Sequence, residues 1–192
     1  MTWTADNLDP ELPQRSKWLN ESWQEARVLG YIPQVEHTFA YLEGLYGIIN
    51  ENQVAIGEST CGAKWFSGPI SDNSDCDECN SLFDVSELSR VALERASTAR
   101  EAILIMGEIG VEHGFYGSVW TKGELALIEA GEALTVTDPT EAWIFHIMPD
   151  HTTKSAVWVA QRVPDDHISV VANQFTIKEV HPDADPNTFM FS

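Results

Sequence analysis

Two thiols three positions apart, Cys76 and Cys79, have the spacing of a redox couple or of one half of a zinc site. A zinc site needs two further ligands at a matching spacing, and the sequence holds no second close cysteine pair and no two histidines a helical turn apart. Asp75, Asp77 and Glu78 crowd the pair with negative charge, which works against a thiolate. The expectation is a local disulfide or a pair of idle thiols. The third thiol, Cys61, follows Gly57-Glu58-Ser59-Thr60 and precedes Gly62, placing it among hydroxyls and glycines just past a predicted strand. Chain segments at strand ends often carry binding groups, but a small buried thiol leaving a turn has the same pattern. Asn173 and Gln174 follow another predicted strand and bring side-chain amides that can hold a developing oxyanion. Asparagine in that position is equally a turn former bonding its own backbone. The six histidines, His37, His113, His146, His151, His167 and His181, are read as structural rather than as a ligand set. His146, between Phe145 and Ile147, reads as a satisfied structural histidine. No metal and no cofactor is expected. Glycine-rich phosphate loops, His-Glu-x-x-His and Gly-x-Ser-x-Gly are all missing from the sequence.

The elements that must position these residues are legible in part. Tyr46-Gly47-Ile48-Ile49 and Gln53-Val54-Ala55-Ile56-Gly57, separated by Asn50-Glu51-Asn52, predict a β-hairpin. A Ser/Asp/Gly/Asn-rich loop spans residues 67–80. Leu82, Val85, Leu88, Ala92 and Ala96 recur at helical spacing, with Ser81 as the expected N-cap. A second helix is predicted from the capping-box spacing of Thr98-Ala99-Arg100-Glu101 to a stop at Gly114. Strands are expected at residues 133–136, 141–147, 156–160 and 168–172, the short apolar runs of a sheet covered by another layer. The stretch 124–133 is ambiguous between helix and loop. Residues 1–30, with scattered tryptophans and early prolines, are expected to be irregular. Strands, two helices and more strands make an α+β layered sandwich of one domain over residues 1–192.

Composition narrows the partners. Thirty acidic against eleven basic side chains give a net charge of −19, so nucleic acid and anionic membrane surfaces are not expected partners. No apolar run approaches the roughly 18 residues needed to cross a bilayer. The opening residues Met1 to Asp6 carry neither the basic nor the apolar region of a signal peptide.

Five segments, in order, resemble the N-terminal-nucleophile cysteine dipeptidases related to bacterial dipeptidase A and, more distantly, the secernins. They are Ile32-Pro33-Gln34-Val35-Glu36-His37-Thr38, the run from Asn50 to Thr60, Thr98 to Ile103, Trp158 to Asp166, and Ala172-Asn173-Gln174-Phe175. The resemblance implies an Ntn-hydrolase-like αββα sandwich, here incomplete, in which an N-terminal cysteine attacks the peptide carbonyl of a dipeptide substrate. It implies Asn173 as an oxyanion donor, and Glu58, Ser59 and Thr60 as substrate ligands. Arg162 matches a family arginine, with an ion pair to Asp165 or Asp166 as its alternative role. The family's nucleophile lies upstream of the segment matching Ile32 to His37, and no cysteine precedes Cys61. The resemblance therefore leads us to expect a fragment whose nucleophile lies outside the chain, the full-length form being secretory or lysosomal. The competing expectation is a catalytically inactive paralogue acting as a binding or assembly scaffold. An open sheet edge would favour pairing with another chain, homo-oligomers included.

Overall fold

A computed structural model of the protein describes residues 2–4, 28–70, 77–117 and 130–192. The chain divides into two compact units, Met1–Glu36 and His37–Ser192. In the first, β1 (Thr2–Thr4) pairs antiparallel with β2 (Val28–Tyr31), Thr2 opposite Tyr31.

The second unit carries the strands β3 (Tyr41–Glu43), β4 (Gly47–Asn50), β5 (Ala55–Gly57) and β6 (Thr60–Cys61). Two helices follow, α1 (Val85–Arg95) and α2 (Ala99–His113). The remaining strands are β7 (Gly131–Thr137), β8 (Ala142–Pro149), β9 (Ala156–Val163) and β10 (Phe189–Phe191). Among the described residues, the eight strands of this unit form one sheet in the order β10-β9-β8-β7-β5-β4-β3, with β6 also on β7, and its strands pair antiparallel. The α+β expectation holds at this level.

Side chains alternate along a strand, and the register sorts them. Leu134 and Val136 on β7 and Trp143, Phe145 and Ile147 on β8 are fully buried on the face that meets the helices. Contact there is closest at Gly107 of α2, where a Cβ would run into the Trp158 ring; one on Gly110 would lie 2.8 Å from the end of the Ile147 side chain. The helices supply Val85, Leu88, Val91, Leu93, Ala102, Ile103 and Met106 to the same core. Among the described residues no helix packs on the opposite face.

Local signals set the element ends. Thr98 caps α2 by accepting from the Glu101 N–H, as its spacing predicts, and Gly114 ends it at φ 77. For α1 the expected cap is corrected: Asp84, not Ser81, accepts from the Glu87 N–H. Ser81 is held instead by Ser67 and by the Phe115 and Thr153 carbonyls, which stops the helix from reaching back to Leu82. Asn50 saturates its side chain, donating to the Leu93 and Ala96 carbonyls at the end of α1 and accepting from the Asn52 and Val54 N–H groups. It thereby ties the predicted hairpin, seen as β4 and β5, to the helix.

The strand expected at residues 168–172 is absent. Ile168 is 94% exposed and Val170 76% exposed, because the free edge of β9 is taken by Phe189–Phe191, opposite Gln161, Ala160 and Val159. Arg162 reaches Glu141 at 3.2 Å and Asp165 at 2.6 Å, the ion-paired role. Arg100 shares Glu141, lies 4.8 Å over the Trp143 ring and donates to the Pro186 and Asn187 carbonyls, anchoring the approach to β10. The ambiguous stretch 124–133 lies outside the described residues up to 129, and its end forms the start of β7.

Candidate active site

The register that joins β5 and β6 to β7 runs without a break. Gly57 lies opposite Thr135, Thr60 opposite Glu132 and Cys61 opposite Gly131, while the Ala133 N–H donates to the Ser59 carbonyl at 3.0 Å. Alternation then divides the expected substrate ligands between the two faces. Glu58 and Thr60 point to the helix side, where the Thr60 hydroxyl donates to Glu58 at 2.7 Å. Glu58 there borders a cavity of about 280 Å3 lined also by Leu45, Tyr46 and Ile56. Ser59 and Cys61 point to the other face, and both are buried.

Asn173 comes to Ser59 from 114 residues away: its backbone N–H donates to the Ser59 Oγ at 2.8 Å. Its φ of 51° is left-handed, a conformation that asparagine tolerates better than other residues with a Cβ. With the N–H engaged by Ser59, what Asn173 can offer an oxyanion is its side-chain amide. From there the chain crosses the sheet. Phe175 packs on the His146 ring with centroids 4.8 Å apart, and its ring end occupies the space where a Cβ on Gly131 would sit, 2.7 Å away. The Thr176 N–H donates to His146 Nε2 at 3.2 Å, and the Lys178 ammonium donates to the Phe175 carbonyl.

The electrostatics follow from burial. His146, 2% exposed, is held down to about 4 by desolvation and secondarily by Lys178, so its imidazole is neutral and Nε2 is an acceptor. Burial first and the Glu132 carboxylate second push the Cys61 thiol up to about 11, and its S–H points at the Ser59 carbonyl. A protonated, buried thiol is a poor nucleophile. Cys79 is disulfide-bonded, in keeping with the local-disulfide expectation, and Cys76 lies outside the described residues. Among the described residues no cluster of three or more His, Cys, Asp or Glu could hold a metal ion, and no helix is long and apolar enough to cross a membrane.

The fold thus brings Ser59 and Asn173 together and separates them from Glu58 and Thr60. His146, Gly131 and Thr176 were missed as members of this site. The one sequence signal was a histidine inside the apolar run Trp143 to Ile147, and it does not say what the ring bonds.

A family model described as Peptidase family C69 matches residues 24–192. The chain is similar to a protein named "Probable dipeptidase" from Latilactobacillus sakei, 32% identical over 113 residues, which is 59% of this chain and 20% of that protein. The match thus spans about a fifth of that relative's length.

Proposed function

The chain belongs to peptidase family C69, and on that footing we propose that it is part of a cysteine-type dipeptidase in which Asn173 holds the oxyanion formed during hydrolysis of dipeptides. The observation that carries the proposal is the 2.8 Å hydrogen bond from the Asn173 N–H to Ser59, which joins two of the family-matching segments at one place on the sheet. The nucleophile in this proposal is a cysteine at a mature N-terminus outside residues 1–192. Its own α-amino group takes the thiol proton, being close to neutral-pH poise with an ordinary pKa of about 8. The thiolate sulfur bonds to the peptide carbonyl carbon, and the oxyanion is met by the Asn173 side-chain amide. The C–N bond then breaks as the ammonium returns its proton to the leaving amine. Water hydrolyses the remaining thioester and regenerates the thiol.

Of the four residues expected at the site, Ser59 joins Asn173. Glu58 and Thr60, bonded to each other beside the 280 Å3 cavity on the helix side of the sheet, lie across the sheet from Asn173 and do not reach a dipeptide held there. The face carrying Ser59 and His146 is where a second sheet would complete an αββα sandwich, and the homo-oligomer remains part of this proposal. The scaffold reading is favoured by one observation: Cys61 is buried with a raised pKa and Cys79 is disulfide-bonded, so neither offers a thiolate.

N-terminal sequencing and intact mass of the protein from its natural source separate the two. A mature N-terminal cysteine, with dipeptide hydrolysis abolished by its replacement with alanine, supports the dipeptidase. A mature chain without it, inert toward a dipeptide panel, overturns the dipeptidase in favour of the scaffold.

A further inference from the structure

Ser59 and His146 stand in one row across the sheet. Ser59 lies beside Ala133 on β7, and Ala133 lies opposite His146 on β8, so the two polar side chains flank a single methyl group on the same face. Two strand spacings separate them, about 10 Å. Three residues of chain reach at most about 10 Å, and it is the residues Asn173 to Thr176 that cross this gap. The first gives its N–H to Ser59 Oγ and the last gives its N–H to His146 Nε2. Between them, Phe175 lies in the space left by Gly131, against the His146 ring. Both acceptors are buried, His146 2% and Ser59 9% exposed, whereas Asn173 itself is exposed.

We propose that Ser59 and His146 are positioning residues, a two-point clamp that fixes the Asn173–Thr176 segment across β6, β7 and β8 and holds Asn173 left-handed so that its side-chain amide has one direction. The inference rests on the reading of Asn173 as the oxyanion donor, and it changes the role of Ser59 from substrate ligand to support. A hydroxyl that accepts a backbone N–H constrains the peptide it receives, and a neutral imidazole does the same at the other end. The glycine at 131 belongs to the device, since any side chain there displaces Phe175.

The test uses the mature natural protein and two kinds of readout. In backbone amide exchange, Ser59→Ala should speed exchange at Asn173 by about tenfold or more while the sheet core keeps its protection. His146→Phe should do the same at Thr176, and His146→Gln, which keeps an acceptor, should restore part of the protection. In dipeptide hydrolysis, Asn173→Gly suits the left-handed φ and should lower kcat by about 100-fold. Ser59→Ala should lower kcat by about tenfold with KM little changed, Ser59→Thr should recover most of that, and Ser59→Ala should add nothing in the Asn173→Gly background. Unchanged exchange at Asn173 and Thr176 in these variants overturns the clamp. So does a Ser59→Ala effect that falls on KM and persists in the double variant, since Ser59 would then be touching substrate. A wild-type protein that cleaves no dipeptide sinks the functional reading alone, and the exchange data still decide the clamp.

Discussion

The two faces of the large sheet are built on different principles. On the helix side, Trp143, Phe145, Ile147, Leu134 and Val136 are fully buried, and two glycines of α2 let the strands' side chains press onto the helix. Specification there is by volume, as in any close-packed interior. On the other side small or polar buried residues, Ser59, Cys61, Ala133 and His146, stand beside two apolar ones, Ile144 and Phe189. Beyond them the same face reaches Val157, 45% exposed, and Leu42, 67% exposed. Position on that side is set by two hydrogen bonds to one crossing segment. The contrast teaches where to look for each kind of effect: losses on the helix side should appear as stability, and losses on the other side as misplacement of Asn173.

The sharpest way to break the contrast is a paired truncation. Trp143→Ala should cost about 3–5 kcal/mol in denaturant unfolding, the usual range for emptying a fully buried aromatic site. Val157→Ala, on the neighbouring strand but facing the other way, should stay within about 1 kcal/mol because half of its surface is already wet. If the two losses are equal, the second face is covered as thoroughly as the first and the contrast fails.

How much of this could be read from the sequence follows the same division. The hairpin of β4 and β5, the start of α2 at Thr98 and its end at Gly114 were legible because their causes are local: a polar turn, a hydroxyl three residues from a glutamate, a glycine at positive φ. The three long strands β7 to β9 were legible from their β-rich apolar runs. Ser81 looked like a cap because the alternative engagement of its hydroxyl, with Ser67 and the Thr153 carbonyl, is long-range. The run Ile168 to Ala172 has strand composition but no strand partner, since Phe189–Phe191 holds the edge of β9. Asn173 was picked out as a strand-end amide and by resemblance. The clamp around it was invisible: it depends on Ser59, Ala133 and His146 sharing a row, and only register decides which face a residue joins.

The polar face should also carry a pH signature of its own. His146 is neutral in the fold and held at about 4, against about 6.5 for an exposed imidazole. Between those values the unfolded chain binds the extra proton, so stability from this group is complete above pH 6.5 and falls as pH drops toward 4. The integrated loss is about 3 kcal/mol. Glu94, raised by burial, works in the opposite sense, because its folded carboxyl takes up a proton before the unfolded one does. The wild type minus His146→Gln difference in unfolding free energy removes that contribution. It should shrink steadily from pH 6.5 to pH 4; a flat difference would mean that the ring is not held neutral by the fold.

The smallest effect expected concerns Cys61, the free thiol among the described residues. Cys61 sits one row from the clamp, but with its thiol at about 11 only about a thousandth of it is thiolate at pH 8. Iodoacetamide should therefore leave Cys61 unmodified in the native protein at pH 8 and label it once the chain is unfolded, as followed by intact mass. Cys61→Ala removes only a buried S–H from a site next to alanine and glycine, and hydrolysis should proceed at the wild-type rate. Rapid native alkylation would place a reactive thiolate on the polar face. The two faces would then differ not only in how they hold the chain but in which of them carries the nucleophile, and the proposal of a cysteine outside residues 1–192 would give way to Cys61 itself.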